Sequence, residues 1–245
     1  MLWYKAVRES GARFFLAFGA LSVICACFVF FHRDASAGLS DERVTYAMYI
    51  WRITYKNYLR ELFMLLAIFL GVGGLARERA NGTTWLTLGL PVSRSRIVTT
   101  RAAIGVLQVS VLAMIPAIVI PALSPLVGET YPATQAWGFV SLWVPAGMLI
   151  FGMGLLASTL FSGEFTAPVM GLVGLLGYTL LAEIPVLDRF LPDLNDMMSG
   201  IGMSYFNETS AQLTGSAPVM TLAPLLVGAV LLVAGSVVVT QRQDF

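Results

Sequence analysis

Long uncharged apolar runs alternate along the chain with shorter charged segments. A helix needs about 20 apolar residues to cross the hydrocarbon core of a membrane. Six runs approach this length, so the pattern predicts an all-α fold with six transmembrane helices in one membrane domain, residues 1–245. Their predicted bounds are about 14–31, 59–76, 102–123, 137–161, 165–182 and 218–240.

The composition agrees with a membrane location. Hydrophobic residues make up 57% of the 245-residue chain and charged residues only 12%, whereas a soluble domain carries about 25% charged residues. So few charges cannot cover a water-exposed surface of this size. We therefore expect a multi-pass protein of the inner (cytoplasmic) cell membrane.

The distribution of basic residues predicts the orientation. An even number of crossings places both termini on one side of the membrane. Nine of the 15 Lys and Arg residues fall on that side, and the segment 77–101 supplies five of them. Because Lys- and Arg-rich loops stay in the cytoplasm, both termini are predicted to be cytoplasmic.

Residues 1–13 separate apolar from charged side chains on two helical faces. This pattern is typical of an amphipathic helix that lies in the membrane interface before the first crossing. A simple cytoplasmic lead-in with positive charges is the alternative. The apolar face carries Leu2, Trp3, Ala6 and Val7, and the charged face carries Lys5, Arg8 and Glu9.

Two long segments, 33–60 and 183–217, lie on the side opposite the termini, and the sequence does not assign a role to either. Arg52, Lys56 and Arg60 recur every four residues, which predicts a helix that runs into the second crossing. Its basic stripe either faces water or meets acidic headgroups or an anionic substrate. The second segment is acidic yet rich in apolar residues. We expect it to dip into the interface or to cover the outer mouth of a dimer.

Several chemistries are excluded by missing residues. The only lysines, Lys5 and Lys56, both follow tyrosine, so no Walker A motif exists. His32 is the only histidine, which excludes a His-Glu-x-x-His zinc helix. We therefore expect no catalytic residue, cofactor site or metal site in this chain, and no nucleic-acid partner. No charged residue falls in the middle of a predicted span, which also argues against an ion-coupled carrier.

Small residues are interpreted as packing residues. Cys25 and Cys27 lie two positions apart in the first apolar run, so their side chains point in different directions on a helix. Glycine lets helices approach closely in lipid. It recurs in the predicted spans at Gly71, Gly73, Gly74, Gly147, Gly152, Gly154, Gly171, Gly174 and Gly177.

The segment 77–101 contains apolar residues within a basic loop. Trp85, Leu86, Leu88 and Leu90 stand between arginines, and an apolar cluster with a charged rim is typical of a partner site. Gly82 can end one helix and Ser93 can cap the next. The alternative is a loop that lies on lipid headgroups.

The segment carries three motifs in order: Arg77-Glu78, then Gly82-Thr83, then Leu88-Gly89-Leu90-Pro91-Val92-Ser93-Arg94. Together they resemble the corresponding segment of type-2 ABC transporter permeases. Six spans with both termini inside are similar to that family as well. One departure is Arg101, where many members have lysine; the charge is the same.

The resemblance implies the six-helix membrane subunit of an ATP-driven exporter. Two such subunits pair, as a homodimer or a heterodimer, above a dimer of separate ABC ATPase subunits that bind ATP and Mg²⁺. The loop 77–93 would carry the coupling helix that docks on the ATPase. The implied coupling residues are Arg77, Glu78, Arg79, Gly82, Thr83, Trp85, Leu86, Leu88, Pro91 and Arg94.

Substrate-binding residues are not identified by the sequence. The lack of charged residues in the middle of the spans favours a hydrophobic or amphipathic cargo, such as a lipid, a drug or a peptide, over a small ion. The alternative function is a membrane assembly or maturation subunit that works with an ATPase but exports no small molecule.

Overall fold

The computed structural model describes residues 2–32, 45–72, 93–161, 163, 165–184, 186–187, 191–215 and 219–242. Within these ranges the chain is mostly helical, with one small antiparallel hairpin. The helices are α1 (Leu2–Phe30), α2 (Tyr46–Ile50), α3 (Tyr58–Gly71), α4 (Arg94–Leu123), α5 (Ala133–Leu160), α6 (Thr166–Ala182), α7 (Leu194–Ser199) and α8 (Val219–Arg242). The hairpin strands are β1 (Phe206–Asn207) and β2 (Gln212–Leu213).

Among the described residues, four helical stretches are long and apolar enough to cross a membrane. They are Ala6–Phe30, Ser95–Val127 (α4 with the 3-10 turn that follows it), Ala133–Leu160 and Leu222–Arg242, and they match the predicted first, third, fourth and sixth spans. Large apolar side chains such as Phe15 and Leu16 project outward, and exposed apolar surface of this kind indicates contact with lipid. The chain is therefore a membrane-embedded helical protein.

The predicted second and fifth spans correspond to shorter helices. The α3 helix has 14 residues and α6 has 17, which gives lengths of about 21 and 26 Å at 1.5 Å per residue. Both fall below the roughly 30 Å of a hydrocarbon core. Residues 73–76, the end of the predicted second span, lie outside the described residues.

The centre of the bundle is α5, which packs against α3, α4, α6 and α8. Its aromatic residues Phe139, Trp143 and Phe151 are almost wholly buried. Contacts between the helices give their directions: α1 and α4 run the same way, because Glu9 meets Arg101, and α5 and α8 run parallel to each other, because Leu149 meets Gly228 and Leu156 meets Gly235. We call the end with Leu2 and Arg242 the proximal end, and the end with Phe30 and Ala133 the distal end.

Glycine allows a close contact between the backbones of α3 and α5. A Cβ atom added to Gly154 would lie 2.6 Å from the Ile68 carbonyl oxygen, and one added to Gly71 would lie 2.8 Å from the Leu155 nitrogen. The predicted packing role is confirmed there. At Gly174 and Gly177 a Cβ atom would meet nothing within 4 Å, so these two glycines do not pack against any residue that the structure describes.

The first helix is continuous from Leu2 to Phe30. The predicted interfacial helix at residues 1–13 is therefore not separated from the first span. A helix of 29 residues is about 43 Å long, which matches the thickness of a bilayer with its headgroups. Within this helix Cys25 is buried and Cys27 is exposed, which confirms their different directions.

At the distal end, residues 45–57 and 191–215 fold together into a distal cap over α5. The Trp51 ring stacks on Phe206 with 5.2 Å between centroids, and its Nε1 donates to the Ser199 carbonyl over 2.8 Å. The Trp143 Nε1 atom donates to the Met198 carbonyl over 3.0 Å. Segment 191–215 thus covers the distal end of its own α5 helix.

The helix predicted to run into the second crossing is interrupted. After α2 the chain continues as a π-helix, Trp51–Lys56, and then breaks at Asn57, where φ is −123° and ψ is −113°. The break resets the helical phase, so Arg60 leaves the stripe of Arg52 and Lys56. Arg60 is 9% exposed, and its Nη1 donates to the Asn195 carbonyl over 3.1 Å. The predicted basic stripe is therefore wrong at Arg60.

Candidate functional site

The residues that the resemblance implies for ATPase coupling fall almost entirely outside the described residues. Arg94 is the first residue of α4, and its side chain is not described. The described chain leaves α3 at Val72 and resumes at Ser93, and both positions are at the proximal end. The predicted coupling residues that lie outside the described residues are Arg77, Glu78, Arg79, Gly82, Thr83, Trp85, Leu86, Leu88 and Pro91.

Ser93 occupies the N-cap position of α4, as predicted. Its backbone is extended, with φ −62° and ψ 140°, and its carbonyl accepts from the Arg96 and Ile97 nitrogens. The side chain makes no capping bond to the helix. Instead, its hydroxyl oxygen accepts from the Ser95 hydroxyl over 3.4 Å, so the predicted position is confirmed but the capping bond is not formed.

Next to the start of α4 lies a group of four polar side chains, which we call the proximal polar cluster: Glu9 and Ser10 on α1, and Arg101 and Gln108 on α4. Arg101 Nη2 lies 2.9 Å from Glu9 Oε2. Gln108 Nε2 donates to Ser10 Oγ over 2.8 Å. Arg101 and Gln108 are seven residues, or about two turns, apart on one face of α4, so two contacts join α1 to α4.

A cavity of about 40 Å³ adjoins the proximal polar cluster. This volume is enough for ordered water beside polar groups. Its wall consists of polar side chains from α1 and α4 and of apolar surface from α3 and α5, so four helices meet at this cavity. Its lining consists of Ala6, Glu9, Ser10, Arg13, Leu70, Gly71, Arg101, Ile104, Gly105, Gln108, Phe151 and Leu155.

Two apolar grooves flank α8. The first, of about 320 Å³, lies between α5, α6 and α8 and includes Met153, Tyr178 and Leu232. The second, of about 340 Å³, lies between α4, α5 and α8 and includes Val106, Met148 and Val230. Their walls are almost wholly hydrocarbon, so they can accept an acyl chain or another apolar group but cannot orient a charged one.

Sequence reasoning missed the proximal polar cluster and the grooves. Glu9 and Arg101 had been assigned to the same side of the membrane, but nothing in their spacing indicated that they pair. The grooves form where the faces of three helices converge, which local sequence does not encode. Among the described residues there is no group of three His, Cys, Asp or Glu side chains that could hold a metal ion.

Comparisons with protein-family models, with curated proteins and with solved structures gave no match. The resemblance to type-2 ABC permeases therefore depends on the sequence motifs of the segment 77–94 and on the predicted topology.

Proposed function

We propose that this chain is the membrane subunit of an ATP-driven exporter of the ABC type. In this proposal the helices make six crossings, both termini are cytoplasmic, and a second six-helix subunit completes the pathway. A separate ATPase dimer docks on the loop 77–93 and supplies the energy. The supporting observation is that the two helix ends connected by this loop, Gly71 of α3 and Arg94 of α4, both lie at the proximal end, and that Gly71 lines the cavity next to the proximal polar cluster.

The packing at the proximal end supports transmission of movement from that loop. Gly71, at the end of α3, packs against Gly154 of α5. Near the start of α4, Arg101 pairs with Glu9 of α1. A displacement of the loop would therefore act on α3 and α4 directly, and on α1 through the ion pair.

The apolar grooves support a hydrophobic or amphipathic cargo. A groove with hydrocarbon walls binds by removing apolar surface from water, at roughly 25 cal/mol per Å². It offers no group to replace the hydration of an ion. A lipid, an apolar drug or an amphipathic peptide fits this chemistry better than a small charged solute does.

The docking role is tested by replacing Trp85 and Leu86 together with aspartate. We expect loss of co-purification with the ATPase encoded nearest to this chain, and loss of transport. Leu126→Asp is the matched control, because Leu126 is an exposed apolar residue at the distal end and its replacement should leave docking unchanged. Retention of both docking and transport by the Trp85 and Leu86 variant would show that the coupling assignment is wrong.

The same complex separates export from the alternative function. ATP hydrolysis by an exporter should be stimulated when candidate lipids or drugs are added to the reconstituted complex. An ATPase that docks normally but responds to none of them would instead favour a membrane assembly or maturation subunit.

A further inference from the structure

An apolar groove runs between α4 and α8, with Met148 of α5 also on its wall. Its volume is about 340 Å³, and small-molecule sites begin at about 300 Å³. We call it the α4–α8 groove. Small side chains produce it, because Ala103 on α4 and Ala229 on α8 leave a gap that larger residues would fill. Leu226 and Val230 also line it and are 42% and 67% exposed, so the groove opens on the lipid-facing surface.

The α4–α8 groove lies within one leaflet, next to the proximal end. Its lining on α4 extends from Thr99 to Val106, and α4 begins at Arg94. At 1.5 Å per residue, the lining lies about 8 to 18 Å from the start of the helix. The hydrocarbon core is about 30 Å thick, which gives about 15 Å for each leaflet. A groove at this depth matches one acyl chain of the proximal leaflet that lies parallel to the helices.

The polarity of the groove changes along its length. Thr99, at the proximal end, is the only polar residue of the described lining, and the others are Ala, Val, Leu or Met. Arg96 lies one turn nearer the proximal end and is exposed. Arg96 and Ala103 are seven residues, or about two turns, apart, so they lie on the same face of α4. The groove therefore has a basic residue above its proximal end and hydrocarbon below.

Aromatic residues of α1 place Arg96 at headgroup depth. Arg96 is five residues before Arg101 on α4. Tyr4 is likewise five residues before Glu9, the ion-pair partner of Arg101 on α1. Because the two helices run the same way, Tyr4 and Arg96 lie at about the same level. Trp3 and Tyr4 are 59% and 71% exposed, and such residues are typical of the membrane interface. Side chains on a helix also lean toward its N-terminus, so Arg96 reaches toward the headgroups.

We propose that the α4–α8 groove binds one anionic phospholipid of the proximal leaflet, with an acyl chain in the groove and the phosphate beside Arg96. The chain gains van der Waals contact with the groove walls, which is what drives association within lipid, and Arg96 supplies the charge that those walls lack. The α4 helix has three arginines and no acidic residue, so the ammonium group of a zwitterionic lipid would find no partner on it. The site goes beyond the proposed export function, because it holds whether the lipid is transported or stays bound.

The groove between α5, α6 and α8 provides an internal comparison. Its volume of about 320 Å³ is similar and its walls are also apolar, but no basic residue follows its described lining, which ends at Leu191 and Pro192 of the distal cap. We therefore expect no preference for anionic lipid there. Leu231 lines this groove and is 65% exposed, which makes it a suitable control position.

The first test measures the affinity of the full chain for single phospholipids by native mass spectrometry in mild detergent. The probes are anionic phosphatidylglycerol and zwitterionic phosphatidylcholine with the same acyl chains. We expect phosphatidylglycerol to bind more tightly, and Arg96→Gln to lower its affinity about fivefold, the contribution of one basic residue beside anionic lipid. Arg96→Lys should retain most of the affinity. Arg8→Gln is the matched control, because Arg8 is another exposed arginine near the proximal end, and it should leave the affinity unchanged.

The second test fills the groove. Ala103 is exposed, so Ala103→Trp places an indole ring in the groove without displacing a buried side chain. We expect loss of the bound phosphatidylglycerol, and a partial loss for the smaller replacement Ala103→Leu. Leu231→Trp should leave binding unchanged. The Tm of each variant shows that it is folded.

Three results would overturn the proposal. Equal losses of affinity for Arg96→Gln and Arg8→Gln would mean that the lipid responds only to the general charge of the proximal end. Retention of phosphatidylglycerol by both Ala103 variants would place the acyl chain elsewhere. Conversion of a dimer to a monomer by Ala103→Trp, with lipid binding unchanged, would mean that the groove holds a second copy of this chain. The ATPase is absent from both tests, so failure of the export proposal would not affect them.

Discussion

The ion pair between Glu9 and Arg101 should hold α1 to α4 with a measurable coupling energy. The two charged atoms lie 2.9 Å apart, and the side chains are 31% and 11% exposed. At about 4 Å and an effective dielectric constant of about 20, two unit charges attract by roughly 4 kcal/mol. Desolvation offsets part of this attraction. Exposed pairs contribute about 0.2–1 kcal/mol, and breaking a fully buried pair costs about 3–5 kcal/mol.

Because this pair is only partly buried, we expect a net coupling of about 1–2 kcal/mol. Glu9 and Arg101 each have further interactions, so the loss of stability in a single variant overestimates the coupling energy between the two side chains. A double-mutant cycle with Glu9→Gln and Arg101→Gln, measured by unfolding in detergent, isolates it. Adding salt should reduce the coupling only slightly, because buried charges are screened less than exposed ones.

A second cycle with Ser10→Ala and Gln108→Ala serves as the neutral comparison. Their hydrogen bond of 2.8 Å should give a coupling of about 0.5–1.5 kcal/mol that does not change with salt. The reasoning is refuted if the Glu9 and Arg101 substitutions are additive within about 0.5 kcal/mol. In the proposed exporter, Glu9→Gln should reduce transport while ATPase docking is retained, because α1 would no longer follow α4.

Three further predictions concern helix packing and buried hydrogen bonds. Gly154→Ala should lower the free energy of unfolding by about 1–3 kcal/mol, because the new methyl group would collide with the α3 backbone. Gly177→Ala places its methyl group in open space and should leave the stability unchanged. Thermal unfolding of the two variants measures the difference. Trp143→Phe should lower the free energy of unfolding by about 1–3 kcal/mol, because it leaves the buried Met198 carbonyl without its donor. The same substitution at the half-exposed Trp137 should change the free energy of unfolding by no more than about 0.5 kcal/mol. Arg60→Met should make residues 191–215 more sensitive to limited proteolysis, because it removes the bond to α7; unchanged cleavage would contradict that role.

Local sequence predicted the helical content well, because burial in lipid is a property of contiguous residues. The uncharged runs predicted most ends of α4, α5, α6 and α8 to within a few residues. The exception is the start of α4 at Arg94, which lies eight residues before the start of the predicted span. The opposite directions of Cys25 and Cys27 follow from helical geometry alone.

The errors arose where a backbone break or a distant contact intervened. The four-residue spacing of Arg52, Lys56 and Arg60 places the three side chains on one face only if the helix is continuous. The helix breaks at Asn57, so Arg60 does not share that face. Arg60 then meets a carbonyl 135 residues away. The partners in the proximal polar cluster are separated by 92 and 98 residues, too far apart for periodicity to pair them. The coupling residues from Arg77 to Pro91 stay a prediction from sequence.

The sequence by itself determined that this is an apolar helical protein of the membrane, because the cost of placing charge in hydrocarbon is imposed residue by residue. It also indicated which glycines permit close helix contact, although not which of them are used. Only the tertiary structure decided that Gly71 meets Gly154 while Gly177 meets no described residue, and that the buried side chains of Tyr55 and Tyr131 are neighbours. Those outcomes depend on which helix faces converge, and convergence is a property of the whole bundle.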